Sequence, residues 1–194
     1  MRSMEYFHPR YPNSALYLSL LAILTALTTV ATLVLVVPFP TTSGYFNLGD
    51  VLVMLSGLLL GPLGGFVAGG IGSAIADLIL APWYAPITLI VKGFEGMAVG
   101  LICSRTRRES RISPWDIVAV IVASCVMLVG YLMGEVLVLG YSIGVALTEL
   151  VTINSIQVIV GSFGSLTVGP IVRSYLRNLR YSKENTQKLE FRDQ

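Results

Sequence analysis

The sequence predicts an all-α integral membrane protein of six transmembrane helices, with both termini on the cytoplasmic side. Three observations predict it. Hydrophobic residues make up 54% of the 194 residues and charged ones only 12%, against roughly 25% charged in an ordinary soluble domain; the mean hydropathy is +0.75. Long uncharged runs recur between Gly- and Pro-bearing turns. All of the 13 Lys and Arg residues except Lys92 can be placed on one side of a membrane, and cytoplasmic flanks and short loops are where such residues collect. The net charge of +2 then reflects basic flanks and does not suggest nucleic-acid binding. These residues suffice for about six spans of roughly 20 residues and leave no room for a soluble catalytic domain.

Taken in order, residues 1–14 are polar, carry Arg2 and Arg10, and read as a cytoplasmic segment. Ala15–Val37 is uncharged, too long for a signal-peptide core, and followed by no small-x-small cleavage site, so it is expected to stay as the first span. Pro38–Asn47 holds two prolines, a glycine and no charge, and reads as an external loop. Between Asp50 and Asp77 the chain is uncharged but is interrupted by Gly61-Pro62-Leu63-Gly64-Gly65, a turn signal. A single span there would leave Arg105, Arg107, Arg108 and Arg111 outside, against the positive-inside rule. Two short helices turning at Gly61–Gly65 keep that loop inside. A re-entrant hairpin has the same parity, since a helix over 47–60 reaches only ~21 Å at 1.5 Å per residue; two spans is the favoured reading. Tyr84–Ser104 makes the fourth. Ile117–Thr148 carries only Glu135 as a charge and is too long for one crossing, so Gly140–Gly144 is read as an external turn. The last span, Val145–Val172, is long and expected to tilt or protrude inside. The helical unit thus covers 15–175 and residues 176–194 form a basic cytoplasmic tail; Arg173, Arg177, Arg180, Lys183, Lys188 and Arg192 all fall on the inner side. Cys103 and Cys125 lie in apolar stretches without metal-ligand spacing and read as reduced core residues.

On this topology the intramembrane polar groups gather at one depth. Asp50, Asp77, Glu135 and Glu149 lie within about two turns of the external helix ends. Lys92 sits eight residues into its helix, ~12 Å deep, and Asn154 is at nearly the same depth. Glu95 and Gln157 follow at i+3 and share those faces. Charged groups in lipid must face a cavity or a partner, so the expected arrangement is an outward-opening cup floored by Lys92, Glu95, Asn154 and Gln157, with Trp83, Tyr84 and Tyr131 as stacking surfaces for a small polar or aromatic ligand. The competing structural reading makes Lys92–Glu95 an intrahelical ion pair, Asp50 and Asp77 helix caps, the aromatics an interfacial belt, and the amides interhelical glue. Gly65, Gly69, Ser73 and Asp77 at i+4 spacing, and Gly96 with Gly100, predict smooth packing faces; Ala22-x-x-x-Ala26 on the first helix is a similar surface.

The runs Phe46-Asn47-Leu48-Gly49-Asp50, Gly61-Pro62-Leu63-Gly64-Gly65-Phe66, Gly72-Ser73-Ala74-Ile75-Ala76-Asp77-Leu78 and Tyr84–Gly96 together resemble the substrate-binding S component of energy-coupling factor (ECF) vitamin transporters, closest to the riboflavin-type group. The resemblance covers roughly residues 15–175. It implies a six-helix binding protein of a prokaryotic cell membrane, without ATPase activity or cofactor, that docks onto a transmembrane T component and two cytoplasmic ABC-type ATPases. The ligand it implies is a water-soluble vitamin or precursor of the riboflavin-like, pyridoxine or hydroxymethylpyrimidine/thiamin class. It would be held near the external face under the loop between helices 1 and 2, with Asn47, Asp50, Asp77, Tyr84, Lys92, Glu95, Tyr131, Glu135, Asn154 and Gln157 as candidate binding residues. The family's small-residue docking motif maps onto Ala22 and Ala26.

Two other functions are weighed. An autonomous channel or proton-coupled carrier needs a polar path through both halves, and the inner half offers none, although Asp77, Glu95 and Glu135 keep proton coupling conceivable. An intramembrane enzyme finds little support: the single His8 lies outside the spans, there is no metal motif, and no nucleophile–base pair is evident. No phosphate-cradling Gly-rich loop with Lys-Ser/Thr is present, so energy for transport has to come from a partner.

Overall fold

At Gly61 the chain reverses in a single residue. Its φ of 85° is open to glycine but costly for a residue with a Cβ, and Pro62 begins the next helix at the position where a missing N–H costs nothing. The computed structural model describes residues 14–40, 42, 44–103 and 111–190; Arg2, Arg10, Arg105, Arg107, Arg108 and Arg192, which carry much of the sidedness argument, lie outside them. Within them the order is α1 (Ser14–Val34), β1 (Val37–Pro38), β2 (Tyr45–Phe46), α2 (Gly49–Leu60), α3 (Pro62–Leu80), α4 (Ala85–Ile102), α5 (Pro114–Leu137), α6 (Ile143–Glu149), a π-helical turn (Leu150–Asn154) and α7 (Ser155–Glu190). The last three run on as one rod, so the transmembrane unit is a bundle of six helices, as the sequence predicts. The turn expected over Gly61–Gly65 narrows to Gly61, and the helix expected to end near Val172 continues to Glu190.

α1, α3, α4, α5 and the α6–α7 rod are each long and apolar enough to cross a membrane. α2 is not. Its 12 residues reach only ~18 Å at 1.5 Å per residue, some 12 Å less than the ~30 Å hydrocarbon layer. The space beyond its N-terminus is filled by the β1–β2 hairpin, paired antiparallel with Val37 opposite Phe46 and Pro38 opposite Tyr45. Of the external loop expected over 38–47, Gly44, Tyr45 and Asn47 line a cavity inside the bundle.

Glycines let α2, α3 and α4 pack almost backbone to backbone: a Cβ on Gly96 would run into the Gly65 carbonyl, and one on Gly65 into that of Gly96. This is the packing expected of the small-residue stripes. α1 lies against α3 through Thr28 and Gly72, with Thr29 Oγ1 donating to the Gly72 carbonyl at 2.8 Å.

The core divides along the bundle axis. Away from the hairpin, Met54, Leu58, Val99, Cys103, Ala119, Val120 and Ala123 form an apolar plug; near it, Ala81, Tyr84, Ile87, Val91, Met127, Tyr131 and Val158 form a second cluster with polar edges. The structure corrects the sequence reading at Arg173. That residue was expected with the basic tail; it is buried within the bundle, where it donates to both Asp116 oxygens at 2.8 and 3.1 Å and to the Leu58 carbonyl at 3.4 Å. Asp116 also accepts from the Ser113 backbone N–H at 3.2 Å, so one carboxylate ties the start of α5 to α7. Cys103 is buried in the plug as expected, whereas Cys125 is on the exposed face of α5.

Candidate functional site

Every candidate binding residue read from the sequence is buried, and most converge at the hairpin end of the bundle. They form two layers. The deeper is an ion cluster: Lys92 Nζ donates to Asp50, and to Glu95 Oε2 at 3.0 Å, one turn along α4. Gln157 Nε2 donates to the same Asp50 oxygen at 3.0 Å. Lys92 also lies 5.6 Å from the centre of the Tyr131 ring. Asp50 reaches this cluster because α2 is short and starts deep; in the first turn of α2 its carboxylate also faces the positive end of the helix dipole.

Above it lies a cavity of ≈ 30 Å³, room for about two waters. Its walls are Gly44, Tyr45, Asn47, Asp77, Tyr84, Met127, Tyr131, Glu149, Asn154 and Gln157. Of the candidate binding residues, Asn47, Asp77, Tyr84, Tyr131, Asn154 and Gln157 line it. Lys92, Glu95, Asp50 and Glu135 do not line it: the floor is Asn154 and Gln157, the ion cluster sits behind Gln157 and Tyr131, and Glu135 sits behind Glu149 and Asn154. The expected open cup is instead a small chamber closed by the hairpin. Trp83, offered as a stacking surface, is 77% exposed on the outside of the bundle.

The hairpin is latched to α3 and to the α6–α7 rod. Thr42 Oγ1 donates to the Glu149 carboxylate, the Tyr45 hydroxyl to Asp77, and the Asn47 backbone N–H to Gln157 Oε1 at 3.1 Å. Gly44 lies so close over Glu149 that a Cβ there would overlap the carboxylate. Burial, with Asp77 beside it, pushes the Tyr45 hydroxyl far above its usual range. Burial, with Glu149 and Glu135 nearby, does the same to Tyr84. Both phenols therefore keep their protons, and Tyr45 donates its own to Asp77.

A π-helical turn is commonly found at functional sites, and this one has a visible consequence. The Ser155 backbone N–H bonds to the Leu150 carbonyl five residues back, and the Ser155 hydroxyl donates to the same carbonyl at 2.7 Å. This wider turn stacks residues five apart, so Glu149 and Asn154 both face the cavity. Glu135, on α5, faces both of them. Tyr131 OH is 2.9 Å from Thr88 Oγ1, and its ring centre lies 6.4 Å from that of Tyr84, giving two tilted aromatic walls.

Sequence reasoning noted the depth of Glu149 without placing it at the site, and it missed Thr42, Gly44, Tyr45 and Met127. A carboxylate at that depth was a usable signal for Glu149. Nothing local marks Met127, which reaches the cavity only through the packing of α5. Among the described residues no group of His, Cys, Asp and Glu converges as metal ligands would.

Residues 13–182 match the family described as ECF-type riboflavin transporter, S component. The chain belongs to that family. It is therefore a membrane-embedded substrate-binding subunit of an ECF transporter, in a family of transporter components, not enzymes. Over 103 residues it is 42% identical to an "uncharacterized protein in gap 3′ region" of Pyrococcus woesei, a match that covers 53% of this chain and 67% of that protein. Among solved structures, the S component of a bacterial ECF transporter aligns with a TM-score of 0.47 at 18% identity, over 90% of this chain and 98% of that one.

Proposed function

We propose that this S component captures a water-soluble vitamin or precursor of the riboflavin-like, pyridoxine or hydroxymethylpyrimidine/thiamin class outside a prokaryotic cell, and delivers it through a T component and two ABC-type ATPases. The observation that carries this reading is the hairpin latched over a polar chamber at one end of the bundle, with an apolar plug beneath. The positive-inside rule places the hairpin end outside and both termini inside. The chamber is far smaller than the roughly 300–1,000 Å³ of a typical ligand site, so entry requires the hairpin to leave Glu149, Asp77 and Gln157. Asn47, Asp77, Tyr84, Tyr131, Asn154 and Gln157 then contact the ligand directly, Glu135 lies behind Glu149, and the Asp50–Lys92–Glu95 cluster holds the floor.

The plug supports delivery by movement of the whole subunit against its partners, not by a path through it. Reconstitution into vesicles tests this. The chain alone should bind one of these vitamins without accumulating it, and uptake should appear only with T component, ATPases and ATP. Sustained, proton-driven uptake by the chain alone would instead establish an autonomous carrier.

A further inference from the structure

We infer that the ligand is cationic: a protonated amine or positively charged nitrogen heterocycle whose donors face Glu149, with Glu135 behind it, beside Asn154 and Tyr84. This rests on the proposed vitamin-capture reading and narrows it. Four observations carry it. First, the hairpin end is acidic. Asp50, Asp77, Glu95, Glu135 and Glu149 are all buried there, and Lys92 is the buried cation facing them. Second, Lys92 is already engaged, with Asp50 and Glu95 on either side, so it is not free to receive an anionic ligand group. Third, buried polar atoms around the chamber are left without hydrogen bonds: both Glu135 oxygens, Asn154 Nδ2 and the Tyr84 hydroxyl. Glu135 is 0%, Tyr84 3% and Asn154 5% exposed, and such groups are costly to leave unmatched. Fourth, the lid's own hydroxyls supply donors to the two carboxylates on the cavity wall, Thr42 to Glu149 and Tyr45 to Asp77. A ligand that displaces those latches has to bring donors of its own.

Two carboxylates side by side in a buried site either share a proton or take a positive charge beside them, and a bound cation can supply that charge. The tilted Tyr84 and Tyr131 rings provide the faces on which a flat cation is favoured. The ligand's complement is therefore specified: donors toward Glu135 and Glu149, one acceptor toward Asn154 Nδ2 or the Tyr84 hydroxyl, and a flat body between the rings. A phosphorylated ligand would set its charge against the carboxylates.

The experiment is equilibrium binding by the purified chain in detergent to four probes: thiamine, a permanent cation; pyridoxamine, a protonated amine; riboflavin, neutral; and flavin mononucleotide, an anion. The expected result is that thiamine or pyridoxamine binds at least tenfold more tightly than either flavin. Glu135→Gln and Glu149→Gln, which keep shape and remove charge, should each weaken that binding tenfold or more without lowering the thermal midpoint. Riboflavin or the mononucleotide binding as tightly as both cations, or cation binding that both variants leave unchanged, would overturn the inference while vitamin capture stands. Binding of none of the four would overturn the inference, and failure of pyridoxine and hydroxymethylpyrimidine as well would remove vitamin capture.

Discussion

Lys92 illustrates how far a single residue can be read. A lone cation inside an apolar segment marks a site to attend to, and in sequence it looks like a ligand-binding group. In the bundle it balances Asp50 and Glu95, neither of which has another cation beside it. Its removal is then expected to act on stability first. Taking away one partner of a buried ion pair typically costs ~3–5 kcal/mol, because the remaining charge stays buried without compensation. Lys92→Met should lower the thermal midpoint in detergent sharply, and adding Asp50→Asn with Glu95→Gln should recover much of the loss. A Lys92→Met protein with an unchanged midpoint and abolished ligand binding would instead place Lys92 in contact with ligand. The depth of such residues is legible because hydropathy and the positive-inside rule locate each position along the membrane normal. Their partners are not. Arg173 and Asp116 are separated by most of α5 and more than half of the last rod, and nothing near either one announces the other. Lys92 and Glu95 could be paired from sequence only because they are one helical turn apart on α4.

At the scale of elements, the two irregular pieces shape the site: the truncated α2 and the π turn. The Gly-Pro turn predicts the first, since it divides a stretch too long for one helix and too short for two full spans. The second left no mark, because Leu150–Asn154 has the composition of any apolar helix and its hydrogen-bond register depends on what surrounds it. The π turn has a testable role. Residues five apart do not share a face of an ordinary α-helix, whose neighbours are three or four apart, yet Glu149 and Asn154 both line the cavity. Inserting one alanine after Val151, which points outward at 67% exposure, sets Glu149 and Asn154 six residues apart, ~120° around the axis at 3.6 residues per turn, and should separate those two side chains. The helical content measured by circular dichroism should hold while vitamin affinity falls tenfold or more. Unchanged affinity in the insertion variant would mean that Glu149 and Asn154 do not act together.

For the whole molecule, the informative surface is the one the bundle leaves uncovered. In α1 only 17% of the apolar stretch is buried, against 56% in α3 and in α4, because one narrow stripe, Leu24, Thr28 and Thr32, meets the bundle. Ala22 and Ala26 lie on the opposite, exposed side. Two small residues four apart produce a shallow groove in an otherwise bulky helix face, which lets a second helix approach closely in lipid. Such a groove adds nothing to this subunit's own stability. It does suit a partner helix, and its position on the outside of α1 leaves the hairpin free to open while the partner is engaged. Docking and ligand capture should then be separable by mutation. Ala22→Trp fills the groove without touching the core, so vitamin affinity and thermal midpoint should stay at wild-type values, while co-purification with a tagged T component should be lost and ATP-driven uptake with it. Ala22→Gly should preserve both. If the tryptophan variant still assembles and transports, the docking face lies elsewhere on the bundle, and reorientation of this subunit cannot be hinged on α1.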